Sequence, residues 1–416
     1  MINYPEKLDS IFHKLNKNGA SPIIIGGFVR DSILKIESKD IDIEVYGIES
    51  FDSLESILSE FGNVNSVGKS FGVCKLTMDD LDLDFSLPRE DSKISVGHKG
   101  FNIRIDSTLD FKTASSRRDF TINAIGYDVI NKTILDPFNG IEDLKNKTLK
   151  VVDEIKFQED PLRILRAVQF SARFNLKIDH QLLLLSQKMC KNGMLKELAK
   201  ERVFDEIKKL LLKAKKPSIG LKLLKEINAL VEFPHLHNLS MKDWDETLNS
   251  VDNMKLLNPI KNRTLLMLSV LCYKLDNQQI QDFIGYLTNE KNILKQVLIL
   301  IKNINQIQNT DSQLYKLATI LKIEELILLK KAIYKKDSIN YKNTLTLEKK
   351  ARQLNILTSP YKAILDGKDI LELGIEPSKI YSDILNNAYE AQINYIFTNK
   401  SDAKEWLKNH IEKLNL

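Results

Sequence analysis

Residues 23 to 31 read Ile23-Ile24-Ile25-Gly26-Gly27-Phe28-Val29-Arg30-Asp31, and soon after comes Lys39-Asp40-Ile41-Asp42-Ile43-Glu44-Val45. The first stretch is an apolar, β-branched run that breaks at a glycine pair and passes into a segment carrying Ile33 and Leu34 on one helical face, so it reads as strand, turn, helix. Glycines at such a junction let the backbone approach a ligand, and the helix N-terminus that follows favours an anion. Taken alone, the pair reads more readily as a plain tight turn. Arg30 adds a planar fork suited to phosphate. The second stretch alternates strictly, which marks a strand with Ile41, Ile43 and Val45 on one face and Asp40, Asp42 and Glu44 on the other. Asp40 and Asp42 then sit one pleat apart, where two carboxylates can share hard cations. An edge strand with an exposed acidic face is the competing reading. A further alternating run, Leu81-Asp82-Leu83-Asp84-Phe85, offers Asp84 as a third carboxylate.

Around this centre the chain changes character near residue 140. Before it, short β-branched runs at Pro22–Ile25, Ile41–Val45, Gly72–Leu76, Leu81–Phe85, Phe101–Ile105 and Ala124–Val129 alternate with helical segments at Leu8–Leu15 and Phe51–Phe61. After it, Leu, Ile and Lys recur at three- and four-residue spacing to the end, with breaks near Pro217, Pro234, Pro259 and Pro360. The expected class is α+β, a mixed-sheet head followed by helices, and 416 residues are too many for one compact core.

Composition excludes several alternatives. Hydrophobic residues make up 43% and charged residues 28%, which describes an ordinary globular chain rather than a disordered one. No apolar run approaches the roughly 18 to 20 residues of a membrane span, and the N-terminus lacks a secretion signal. Cys74, Cys190 and Cys272 are few, odd in number and far apart, which suits reduced thiols and no disulfide partner. A cytoplasmic protein with no membrane partner is expected. The net charge of +5 is concentrated: Lys191 to Glu226 holds eleven Lys or Arg against five Asp or Glu. Such a stretch suits a polyanion, and equally a solvated helix face.

A strand-Gly-Gly-helix followed by an Asp-x-Asp strand resembles the nucleotidyltransferase arrangement of the polymerase β superfamily. Residues 117 to 124, Arg117-Arg118-Asp119-Phe120-Thr121-Ile122-Asn123-Ala124, narrow the resemblance to class II tRNA nucleotidyltransferases and bacterial poly(A) polymerases, where this is the ribose-recognition motif. Asp136-Pro137-Phe138-Asn139-Gly140-Ile141-Glu142-Asp143-Leu144 is similar to their hinge motif, and Glu159-Asp160-Pro161-Leu162-Arg163-Ile164-Leu165-Arg166 to their nucleobase-selecting motif. The resemblance implies a polymerase-β-like head over 1–145, a helical neck over 146–225 that selects the base and binds RNA, and a helical body and tail over 226–416. It implies CTP and ATP as substrates, tRNA as partner and Mg²⁺ as cofactor. It assigns Asp40 and Asp42, with Asp84 a weaker third, to metal and catalysis, and Gly26, Gly27 and Arg30 to the triphosphate. Arg117, Arg118, Asp119 and Asn123 fall to the ribose, and Asp160, Arg163 and Arg166, supported by Glu159, to the base. The full C-C-A addition, a partial C- or A-adding reaction and poly(A) synthesis share these motifs. A catalytically silent RNA-binding protein is the reading from another class.

These residues also make chemical sense by themselves. Asp119 and Asn123 are one helical turn apart, and such groups hydrogen-bond a 2′-hydroxyl. Pro161 suits the first turn of a helix, on which Leu162, Leu165, Val168 and Ala172 form one stripe and Asp160, Arg163 and Arg166 another. Cytosine and adenine each present an amino donor beside a ring-nitrogen acceptor, which a carboxylate and a guanidinium complement, whereas uracil and guanine present a carbonyl beside an N–H. The chain departs from the family at Gln169-Phe170, where Arg-Phe is frequent, which removes one phosphate contact. Beyond about residue 225 the resemblance fades. Phe233-Pro234-His235-Leu236 and Asp243 to Leu248 echo a His-Asp phosphohydrolase domain, but Glu246 and Cys272-Tyr273 stand where its histidine and His-Asp pair belong, so no phosphohydrolase activity is expected. His235 and His237 read as surface residues, and the stretch from Pro88 to Asp110, with His98 in Gly97-His98-Lys99-Gly100, as a loop able to move.

Overall fold

The computed structural model describes residues 2–65, 72–78, 81–93, 101–257, 262–306 and 310–414. The chain forms two compact units, Met1–Asn238 with Tyr286–Thr288, and Leu239–Gly285 with Asn289–Leu416.

The first unit is built on a mixed sheet of strands β1 (Ser21–Ile25), β2 (Ile41–Tyr46), β3 (Asn63–Asn65), β4 (Val73–Met78) and β5 (Leu81–Ser86). A separate hairpin, β6 (Arg89–Lys93) and β7 (Phe101–Ile105), follows, and β8 (Gly126–Asp128) and β9 (Thr133–Leu135) complete the sheet. Its order is β3-β4-β5-β2-β1-β8-β9, with β2 and β5 parallel and the other neighbours antiparallel. Helices α1 (Asp9–Lys17), α2 (Gly27–Ile33), α3 (Phe51–Leu58) and α4 (Phe111–Ser115) accompany it. β1 and β2 lie side by side at the centre, with Ile25 opposite Asp42. That position overturns the edge-strand reading of β2. The cause is in β1, whose Ile23, Ile24 and Ile25 are all buried, so the strand needs cover on both faces. Ile23 and Ile25 join Tyr46 and Ala114 under Phe111 and Leu135, while Ile24 is fully buried on the opposite pleat.

Three sequence expectations shift. β2 begins at Ile41, so Asp40 lies in the approach to the strand rather than in it. The helix from Phe51 stops at Leu58. Within Pro88 to Asp110 the described residues include the antiparallel pair β6–β7, with Arg89 opposite Ile105; His98 and its neighbours fall outside the described residues.

Past the head come α5 (Gly140–Lys145), α6 (Glu154–Glu159), α7 (Leu162–Phe174), α8 (His180–Lys191), α9 (Lys200–Lys213) and α10 (Pro217–Glu226), Pro217 occupying the first turn where its missing N–H costs nothing. A short parallel ladder of β10 (Thr148–Leu149) and β11 (Lys177–Ile178) interrupts the helices. Leu162, Leu165, Val168 and Ala172 are all buried, as their spacing predicts, and α7 packs against α9 and α10. The second unit is helical from Met241–Leu257 to Lys400–Lys413. Its helix Arg263–Cys272 is apolar around most of its circumference and buried accordingly. Cys272 lies in that core, and burial pushes its thiol far up, while Glu246 pairs with Lys274 at 2.5 Å. Cys74, Cys190 and Cys272 are buried, and none is in a disulfide. Among the described residues no helix is long and apolar enough to cross a membrane. Pro259 lies outside the described residues.

Candidate active site

The glycine corner works by close approach. Gly26 has φ +66°, a conformation L side chains rarely adopt, and its N–H donates to the Ile125 carbonyl at 3.0 Å. A Cβ there would stand 2.9 Å from Arg118 Nη1, so only glycine lets that guanidinium lie against the turn. Asp42 emerges beside this corner, and Asp84 on β5 is its register partner across the parallel pair. The protein around Asp42 desolvates its carboxylate, and with repulsion from Asp84 and Asp40 this pushes its pKa above the ordinary value, against the pull of Arg118 and Lys75. The carboxylate nevertheless meets solvent through the cleft. Asp84 Oδ1 is buried and accepts no hydrogen bond; Lys75 Nζ stands 3.4 Å away, at ion-pair range only.

Glu44 does not join them. It is fully buried, accepting from Arg117 Nη2 at 2.9 Å and from the Tyr46 hydroxyl at 2.6 Å. Among the described residues no three His, Cys, Asp or Glu side chains form a ready metal cluster. What is present is a solvent-facing carboxylate under repulsion, an opposing acid with an orphaned oxygen, and exposed Asp40 alongside. That donor set fits a hard divalent cation whose remaining oxygens come from an anionic ligand and water.

The ribose segment is not the helical turn its spacing suggests. Asp119 lies in a bend after α4, Phe120 is extended, and Asn123 ends a short 3₁₀ turn, Thr121–Asn123. The two still meet, Asn123 Nδ2 donating to Asp119 Oδ1 at 2.9 Å, because Phe120 is pinned to Val151 and the chain folds back. Burial alone would raise Asp119, but the Arg166 guanidinium at 2.6 Å and the Asn123 amide overcome it and hold the carboxyl below its ordinary range. Reciprocally, Asp119 raises the Arg166 pKa.

Arg30 lines the same cavity, yet its donors are largely committed. Nε and Nη2 fork onto Asp31 Oδ1 at 2.8 and 2.6 Å, Nη1 donates to Asn123 Oδ1 at 2.5 Å, and the guanidinium lies over Phe174 at 4.5 Å. Arg173 reaches the other oxygen of Asp31 at 3.3 Å. Arg30 is thus a buried strut between α2, the ribose segment and α7, with its guanidinium beside Gly27, while Arg118 lies against Gly26. The hinge motif braces that segment from behind. Asp136 accepts from Gly140 N at 2.7 Å and Ile141 N at 3.0 Å, and Thr121 donates to Asp143 at 2.7 Å.

Asp160 stands in the extended link between α6 and α7, one residue before the Pro161 N-cap, and so is not part of the helical stripe with Arg163 and Arg166. Nor does it pair with Arg163, whose Nη1 and Nη2 donate to the Lys156 and Arg117 carbonyls at 2.9 and 2.7 Å. Arg202 of α9 takes Asp160 instead, at 3.0 Å. Glu159 closes α6 and is half-buried, outside the cavity wall. One cavity of about 480 Å³ runs from Gly27 and Asp42 past Asp119 and Asn123 to Asp160, Arg163 and Arg166; Gly26, Asp40 and Asp84 lie next to it rather than in its wall. Six arginines and three aspartates line it, a surplus of three positive charges that suits a polyphosphate. Gln169 is buried and not part of this wall, so the departure from Arg-Phe removes no group from it.

Residues 23–150 match the Poly A polymerase head domain, and residues 175–239 the family described as a probable RNA and SrmB-binding site of polymerase A. The CCA-adding enzyme of Francisella tularensis subsp. novicida is 30% identical over 321 residues, 75% of this chain and 83% of that protein. The chain belongs to the class II CCA-adding enzyme family.

The multifunctional CCA protein of Haemophilus ducreyi is 32% identical over 268 residues, and the match spans 61% of this chain and 63% of that relative. Among solved structures, the Bacillus stearothermophilus CCA-adding enzyme in complex with CTP shares the fold, with TM-score 0.74 and 20% identity over 99% of this chain and all of that one. In this member of the class II CCA-adding enzyme family, the cavity wall also includes Leu162, Phe170 and Arg202, to which the motifs assign no site role. Arg202 lay within the basic Lys191–Glu226 run, where charge density pointed to the region but could not single out the residue.

Proposed function

We propose that the chain adds C and A nucleotides, taken from CTP and ATP, to the 3′ end of tRNA. The observation that carries this reading is a single cavity joining the Asp42 corner to the Asp160 and Arg163 wall, with Asp119 and Asn123 between them. Such a cavity holds the triphosphate at one end and reads the base at the other. The 3′-hydroxyl oxygen of the RNA attacks the α-phosphorus, the bond to the β-phosphate oxygen breaks, pyrophosphate leaves and the hydroxyl proton passes to solvent.

Mg²⁺ held by Asp40 and Asp42, with Asp84 as third carboxylate, would polarise the α-phosphate and lower the pKa of the attacking hydroxyl. The chain's own groups do the positioning. Gly26 and Gly27 add no side chain of their own at the corner, which leaves room for Arg118 there, and Arg118 would meet the phosphates. The Asp119 and Asn123 pair receives the ribose hydroxyls. Asp160 offers an acceptor to the amino group of cytosine or adenine, and Arg163 offers donors to the neighbouring ring nitrogen. Most of the acceleration then comes from fixed charge and orientation. The basic Lys191–Glu226 region and the helical second unit suit phosphate contacts with the acceptor arm, by shape rather than sequence.

The domain description attached to residues 23–150 keeps poly(A) synthesis as a second reading. Purified protein, Mg²⁺ and each labelled nucleoside triphosphate are incubated with tRNA ending before, within and after its terminal C-C-A. Ordered C, C and A addition that then stops is the expected result. An open-ended A ladder favours the second reading, and absence of any Mg²⁺-dependent pyrophosphate release overturns both.

A further inference from the structure

We infer that Arg202 is a positioning residue for base selection, fixing the one direction in which Asp160 accepts a hydrogen bond; this rests on the reading of Asp160 as the base-reading carboxylate. The two oxygens of Asp160 have about four lone-pair directions between them. Oδ1 accepts from Leu162 N at 3.1 Å and from Arg202 Nη1 at 3.4 Å, and Oδ2 accepts from Arg202 Nη2 at 3.0 Å. One acceptor direction on Oδ2 therefore remains for a ligand. Asp160 sits in a short extended link, where a carboxylate held only by Leu162 N could rotate about its Cβ–Cγ bond.

Arg202 is well placed to prevent that rotation. It lies in the first turn of α9, which is anchored by buried Val203, Phe204, Ile207 and Leu210 and packs along α7. A planar guanidinium gripping both oxygens fixes the carboxylate plane, as a lysine cannot. The consequence is chemical. Cytosine and adenine place an amino donor where Oδ2 waits, and uracil and guanine place a carbonyl there, with their N–H donor one position further along the base edge. A fixed acceptor meets that carbonyl lone pair to lone pair. A carboxylate free to swing reaches the N–H instead, and the distinction weakens.

The test compares wild type with Arg202→Met, Arg202→Lys, Asp160→Ala and the Asp160→Ala/Arg202→Met double variant in the full chain. It measures kcat/KM for CTP against UTP on tRNA lacking its terminal C-C-A, and for ATP against GTP on tRNA ending in C-C, with melting temperature as control. Arg202→Met should lower both selectivity ratios about tenfold or more, Arg202→Lys by less, and in the Asp160→Ala background Arg202→Met should change neither ratio further. An Arg202→Met protein that keeps its ratios within twofold, or that loses rate equally with all four nucleotides, overturns the role of Arg202 while leaving Asp160 as reader. An Asp160→Ala protein with wild-type ratios overturns the Asp160 reading, and Arg202's role with it.

Discussion

Asp42 on β2 and Asp84 on β5 are register partners across the parallel pair of the central sheet, so the second acid comes from a strand some forty residues away. This arrangement supports Asp84, rather than Glu44, as the third carboxylate. Asp42→Asn and Asp84→Asn should each lower single-turnover transfer, Asp42→Asn by at least about 100-fold, or roughly 2.7 kcal/mol of transition-state stabilisation. Glu44→Gln should instead act through the packing of Arg117 and Tyr46 and show as lost stability. Rapid-quench assays and thermal melts on the three variants separate the cases.

A group whose folded pKa is raised binds its proton more tightly when folded, so its ionisation lowers stability as pH climbs from the ordinary carboxylate range through the raised value. Asp42 is such a group. Asp42→Asn should therefore melt at the same temperature as wild type or higher at neutral pH, despite being inactive, and the difference should shrink in acid. A clearly lower neutral melting point would show that Asp42 also holds the fold together.

Asp119 has the opposite sign. Its folded pKa is depressed, so its contribution is fully present above the ordinary value of about 3.9 and is lost as pH falls through the folded value. Asp119→Ala leaves Arg166 half-buried without its carboxylate and should cost about 3–5 kcal/mol at neutral pH. The deficit against wild type should narrow below about pH 4 in denaturant titrations run across that range.

Gly26→Ala forces a Cβ onto a positive φ and towards Arg118. The strain should cost about 1–2 kcal/mol of stability. Displacing Arg118 from the turn should also raise the KM for every nucleotide alike. Selectivity between CTP and UTP should stay as in wild type, a pattern that separates the phosphate end of the cavity from the base end.

Local patterning carried much of the fold and site. The apolar run of Ile23 to Ile25, the alternation of Ile41 to Val45 and the stripe of Leu162, Leu165, Val168 and Ala172 follow from period and burial, and each sits where its period requires. The break at Gly26-Gly27 is legible too, whereas the positive φ of Gly26 is seen only in the structure. Pairing was not legible. Nothing in the chain says that Arg30 spends its charge on Asp31 and Asn123, that Arg117 buries Glu44 away from its acidic neighbours, or that Asp160 answers to Arg202 rather than to Arg163. Periodicity fixes which face a side chain occupies, because it depends only on backbone geometry. Which of many arginines meets which aspartate depends on how sheet and helices dock, and those partners lie up to about 140 residues apart, as Arg173 and Asp31 do. The amino-acid order therefore determined the elements and the chemistry they carry, and tertiary packing alone decided which charges are held in reserve for a ligand and which are consumed in holding the site open.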